Sequence, residues 1–107
     1  MSLDFYLKVP GYETIFDRNI THNLNTMALA FDLYNPLWRP EEIGAIYARD
    51  IIKPLTKGLE ALKASPAIAR KYEPSNGWGT YEALVEFTEA VLHACIEEPD
   101  SIIKVSR

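Results

Sequence analysis

The sequence is nearly without cysteine. Cys95 stands alone in 107 residues. An internal disulfide is therefore impossible, and a small secreted scaffold held by such bonds is excluded. Histidine is almost as scarce. Only His22 and His93 occur, too few for a zinc site built mainly on histidine. Positive charge does not dominate either: 15 acidic residues face 11 basic ones, for a formal net charge of -4. Binding of bulk DNA or RNA, whose affinity comes from Lys and Arg on phosphates, does not fit that balance. No apolar run approaches the roughly 18 residues that span a bilayer. The segment Met1 to Tyr6 has no basic stretch followed by an apolar one, so no signal peptide is expected. A cytoplasmic protein with no membrane partner is the expectation. Glycine-rich phosphate loops, dinucleotide fingerprints, the nucleophile elbow and zinc-finger spacings are all missing.

What remains suits a single domain over residues 1–107, with 48% apolar and 24% charged residues, enough for a packed core. Leu3, Phe5, Leu7 and Val9 alternate with Asp4, Tyr6 and Lys8, the pattern of a half-buried strand. Pro10-Gly11 fits a tight turn into a second strand, Tyr12 to Phe16. If Val9 faces Tyr12, then Phe5 faces Phe16 and Lys8 faces Glu13, both favourable pairs. The same register sets Asp4 against Asp17, which is unfavourable.

A helix is expected from about Thr21 to Leu33, with Asn19 or Thr21 as N-cap and Leu24, Met27, Ala28 and Phe31 on its buried stripe. Asn35-Pro36 ends it. Leu37 to Glu42 reads as a connector in which Pro40 and two acids resemble a first helical turn, and Gly44 interrupts. A long helix follows over about Ala45 to Ala64, burying Tyr47, Ile51, Leu55, Leu59 and Leu62 and kinked by Pro54. Ser65-Pro66 starts a short helix, residues 73–79 form a loop, and Thr80 caps a last helix over Tyr81 to Glu97. Cys95 falls on its apolar face as an inert small hydrophobe. Ile102 to Val105 closes the sheet. The order β-β-α-α-α-β gives an α+β fold, a three-stranded antiparallel sheet with helices packed on one face. Tyr6, Ile15 and Ile103 are expected on the uncovered face, a surface for self-association.

Three segments carry more polar and aromatic residues than packing requires. Asn19, Thr21, His22 and Asn23 lie at an expected helix start, where free backbone N–H groups favour an anion. Capping alone also accounts for them. Trp38 beside Arg39 can stack on a base and pair with a phosphate, or serve as a core Trp with Arg39 bridging to an acid. Asn76, Trp78, Thr80 and Tyr81 surround Gly77 and Gly79, which permit close backbone approach at a second helix start. A compact loop plugged by Trp78 is the plainer account. Glu89 and His93 stand one turn apart on a helix, a spacing better explained by an ion pair than by a metal. No metal, cofactor or catalytic residue is assigned.

Together Ser2-Leu3-Asp4-Phe5-Tyr6-Leu7, Asn19-Ile20-Thr21-His22-Asn23-Leu24, Leu37-Trp38-Arg39-Pro40-Glu41-Glu42, Asn76-Gly77-Trp78-Gly79-Thr80-Tyr81-Glu82 and Val105-Ser106-Arg107 resemble a family of small uncharacterised bacteriophage and prophage proteins. That resemblance implies a setting, an accessory protein acting on a host and its defences, rather than a mechanism. The residues favour a non-enzymatic protein that binds a small anionic, nucleotide-like ligand at the three segments, as a homo-oligomer, and sequesters a host signal. One alternative is an inhibitor that binds a host protein through the outer acids Glu82, Glu86 and Glu89. Another is a small hydrolase with His22 as base and Glu41 or Glu82 as its partner.

Overall fold

The alternation in the first strand is reproduced residue by residue. In β1 (Ser2–Lys8), Leu3, Phe5 and Leu7 are buried and the residues between them half-buried. The structure is a computed structural model that describes every residue except Met1, Pro10 and Tyr12. β2 (Thr14–Thr21) and β3 (Ile102–Ser106) flank β1, both antiparallel to it, in the order β2-β1-β3. The fold is α+β, as the element order predicts.

The hairpin register differs from the expected one by two residues. Phe5 pairs with Arg18, Leu7 with Phe16 and Asp4 with Asn19. Two one-residue steps produce the shift. The Val9 N–H donates to the Glu13 carbonyl, so the connection is one residue longer than a two-residue turn. A bulge then falls between Leu7 and Lys8, where Lys8 pairs with Thr14 and Ile15 is the extra residue. Beyond the bulge the shift is even, so Phe16 and the residues after it keep their faces, whereas the bulged Ile15 lies with Phe16 beside Ala90 and Ala94 rather than on the open face expected for it. Phe16 still meets Phe5, now diagonally, at 6.5 Å in an edge-to-face contact. The opposition of Asp4 and Asp17 is removed, and Lys8 no longer faces Glu13. The Val9–Tyr12 pairing falls on a residue outside those described. Ile103 is a further correction. It pairs with Leu7 and is buried on the covered face, so it does not line the open one.

The helix expected over 21–33 is broken. Asn19 and Thr21 belong to β2, a 3-10 turn occupies His22–Leu24, and α1 spans only Asn25–Ala30. Asp32 then takes a left-handed conformation (φ 61°), which a short polar side chain tolerates. Pro36 does not end a helix. It lies in the first turn of α2 (Tyr34–Trp38), where the missing N–H would have had no partner. Leu37 and Trp38 are therefore helical and buried rather than a connector. Pro40 opens a 3-10 turn, Pro40–Ile43, with Glu41 and Glu42 in it, and Gly44 ends it with φ 70°.

α3 (Arg49–Ala64) starts four residues later than periodicity suggested. The Asp50 carboxylate accepts from the Ile46 and Tyr47 N–H groups at 2.9 Å each, which holds this stretch outside the helix. Those two bonds, Tyr47's first, keep Asp50 below the usual carboxylate range. Residues 46 and 47 instead dock on β3: Ile103 N–H donates to the Ile46 carbonyl, and Tyr47 bridges to Ile102. Pro54 lies inside α3 as expected. α4 (Pro66–Ala69) and a 3-10 turn, Arg70–Tyr72, lead through a loop to α5 (Tyr81–Glu97). Thr80 caps α5 by accepting from Ala83 N–H at 3.1 Å.

α3 and α5 pack on each other and cover one face of the sheet with α1 and α2. Phe5, Met27, Trp38, Leu55, Phe87 and Val91 belong to one continuous apolar core. Among the described residues, no helix is long and apolar enough to cross a membrane.

Candidate functional site

The site begins with a buried donor. Trp38 is 2% exposed, and an indole N–H in that position needs a partner. His22 supplies it: Trp38 Nε1–H donates to His22 Nδ1 at 2.9 Å. A nitrogen that accepts carries no proton, so the imidazole is the tautomer protonated on Nε2. Tyr34 stacks on the Trp38 ring, with centroids 5.9 Å apart and planes 9° from parallel. His22 is thus held on a rigid aromatic base with its N–H edge turned to donate.

Thr21 ends β2 and places His22. Its hydroxyl accepts from Asn23 N–H at 3.2 Å, the capping role read from the sequence. Across from this turn stands Trp78, 70% exposed, the most exposed large apolar side chain among the described residues. Its backbone is fixed by Asn76, whose Oδ1 accepts from Trp78 N–H at 2.9 Å. Gly79 follows with φ 132°, and a Cβ there would lie 2.9 Å from Leu24 Cγ and 3.3 Å from Thr21 Cγ2. Only glycine lets the loop rest against the 3-10 turn this closely.

The result is an open depression of about 620 Å³ lined by Ser2, Asn19, Thr21, His22, Asn23 and Trp78. The first and third polar segments meet in space, and Trp38 of the second lies under them. Ser2 was not singled out in the sequence. It arrives because β1 and β2 pair Ser2 with Thr21, and no local signal marks that. No Lys or Arg lines the depression.

Arg39 is elsewhere. Its Nε–H donates to the Tyr34 hydroxyl at 3.2 Å, and Glu42 lies 3.8 Å away. It braces the aromatic stack from outside. Arg107, to which no role was given, donates from Nη1 to the Trp38 carbonyl at 2.8 Å and pairs with Glu41 at 2.8 Å.

The two expected anion sites at helix starts do not form. The 3-10 turn and α1 are each too short to sum a useful dipole. At the start of α5 the protein supplies its own anion: the Glu73 carboxylate accepts from Tyr81 N–H at 2.7 Å. Tyr81 is structural, its ring under Arg70 and its hydroxyl donating weakly to the Leu62 carbonyl at 3.4 Å. Thr80 is a cap and Asn76 a turn former.

The hydrolase arrangement is not assembled. With Nδ1 accepting from Trp38, the free edge of His22 is a donor rather than a base. Neither carboxylate proposed as its partner lines the depression. Glu41 pairs with Arg107, and Glu82 with Arg70, whose hydrogen bond first of all holds Glu82 below the usual carboxylate range. The outer acids are likewise engaged: Glu86 pairs with Arg18 at 2.8 Å and Glu89 with Lys63 at 3.0 Å, while His93 faces Glu97 rather than Glu89. Among the described residues, no three His, Cys, Asp or Glu side chains gather as a metal site. Compared with known protein families, curated proteins and solved structures, the chain matches none.

Proposed function

We propose that the chain is a non-catalytic binding protein for a nucleotide-like ligand, held at the depression between the His22 turn and Trp78. The observation that carries this reading is the pairing of an exposed indole with an imidazole donor locked by a buried one. An indole left in water is a stacking platform for a planar heterocycle, worth about 1–3 kcal/mol per base. His22 Nε2–H, the Asn19 and Asn23 amides and the Ser2 and Thr21 hydroxyls offer donors and acceptors for its edge. Because the lining holds no Lys or Arg, recognition rests on the base, and a phosphate stays at the open rim. In the phage setting that the family resemblance implies, such a protein would sequester a host nucleotide signal. The depression is open on one side, and a homo-oligomer would close it.

Tryptophan fluorescence titrated with nucleosides and with mono- and dinucleotides tests this. A quench is expected, weakened about tenfold to a hundredfold in Trp78→Ala, in line with the stacking energy. Adding phosphates to a nucleoside should change affinity little. Silence across the panel, or unchanged binding in Trp78→Ala, would sink the proposal.

A further inference from the structure

The two edges of the sheet are treated differently. β3 is covered by the segment before α3, through the Ile46 carbonyl and the Tyr47 bridge. β2 is not covered. Among the described residues it pairs only with β1, so the outward N–H and C=O groups along its 8 residues have no main-chain partner. Such an edge is a template for one more strand.

A groove of about 670 Å³ runs beside that edge, between β2 and α5. Its apolar part is Ile15 and Phe16 from β2 with Ala90 and Ala94 from α5. The bulge in the hairpin brings Ile15 to this side, 38% exposed. Its rim is acidic: Glu86, Glu89, Glu97 and Glu98 against the single guanidinium of Arg18. Arg18 and Lys63 engage the first two. Among the described residues, Glu97 pairs only with His93, at 3.4 Å, and Glu98 has no basic partner.

We propose that this edge binds an extended basic segment of a partner protein, added to the sheet as a fourth strand. Main-chain bonds to β2 hold the segment, and every second side chain points over the groove. Lys and Arg match what they meet there. Their aliphatic stems lie on Phe16, Ala90 and Ala94 and their charged heads reach Glu97 and Glu98. A second copy of the chain fits less well. Two β2 edges joined about a central twofold in a continuous sheet would set Asp17 against Asp17 or Arg18 against Arg18. The same arrangement would bring two acidic α5 rims together on one side. The groove shares no lining residue with the Trp78 depression, although Asn19 and Thr21 at the far end of β2 line the latter, and neither reading depends on the other.

The probe is a fluorescein-labelled peptide alternating Lys and Thr, as long as β2, titrated into the full chain by anisotropy. Saturable binding is expected, weakened about tenfold or more in the double variant Glu97→Lys, Glu98→Lys. Lysines at the C-terminal end of a helix favour its dipole, so that variant keeps its fold, as a melting curve would verify. A peptide of the same sequence with every amide N-methylated should not bind, and amide shifts on titration should lie in β2 and α5. No binding by the parent peptide, equal binding by the methylated peptide, or shifts elsewhere would each overturn the proposal. A β2-to-β2 dimer that the peptide does not dissociate would also overturn it, assigning the edge to a second copy.

Discussion

Single side chains set much of the chemistry here through their partners. Burial decides Cys95. Loss of water pushes its thiol from 9.0 up to about 12, which leaves it protonated and unreactive in the folded state. Alkylation by iodoacetamide at pH 8 should therefore follow global unfolding, and labelling of native protein at the rate of a free thiol would refute the burial argument. The sign of the linkage is fixed as well. Between 9.0 and about 12 the native state keeps a proton that the unfolded chain releases. This residue's share of stability is thus whole below pH 9 and lost as pH rises through that window. Thr88 is the counterexample to tidy burial: its hydroxyl is enclosed in α5 and has no hydrogen-bond partner among the described residues. His22 shows the reverse case, a polar group whose orientation is fixed because a buried indole needs its acceptor.

At the scale of elements, α5 was fully legible and the hairpin was not. Thr80 before the first turn, Glu82 within it and Pro99 beyond the end are local signals, and the helix runs from Tyr81 to Glu97 as read. The hairpin register depends on a bulge and an extra loop residue, which no short window of sequence specifies. Gly58 in α3 shows tertiary contact overriding propensity. Alanine is a better helix former than glycine by about 1 kcal/mol. A Cβ at Gly58, however, would meet Leu33 Cδ2 at 2.5 Å and the Phe31 carbonyl oxygen at 2.9 Å. The backbone oxygen cannot step aside without moving the segment between α1 and α2. Gly58→Ala should thus destabilise the protein by about 1–3 kcal/mol, the usual cost of overpacking. Urea denaturation measures it, and a gain in stability would show that this segment yields freely.

The whole molecule is organised around the sheet's asymmetry. One face is covered by helices, one edge by the stretch before α3, and one edge is left open. Protection against hydrogen exchange should follow that plan. The amides of Asp4 to Lys8 in β1, where the strand is paired on both sides, should exchange slowest. Outward-facing amides of β2 should exchange fastest among the strand amides and should slow when a strand adds to that edge. Equal protection along β2 and β1 in the free protein would mean that the edge is already occupied. The candidate ligand site also belongs to this scale, since its lining comes from β1, β2, the turn after β2 and the loop before α5.

The sequence by itself determined the class of fold, the number of strands and their order along the chain, the placement of α5 and its cap residue Thr80. These follow from periodicity and from side chains that act within a few positions of themselves. Only the tertiary structure decided which polar residues share a site. Trp38 reaches His22 across 16 positions and Arg107 reaches Trp38 across 69. Arg39 turns to Tyr34 instead of the depression, and Glu73 fills the helix start that seemed open to a ligand. A buried donor or a free helix end takes whatever partner packing brings within about 3 Å, and that choice is settled by the fold as a whole.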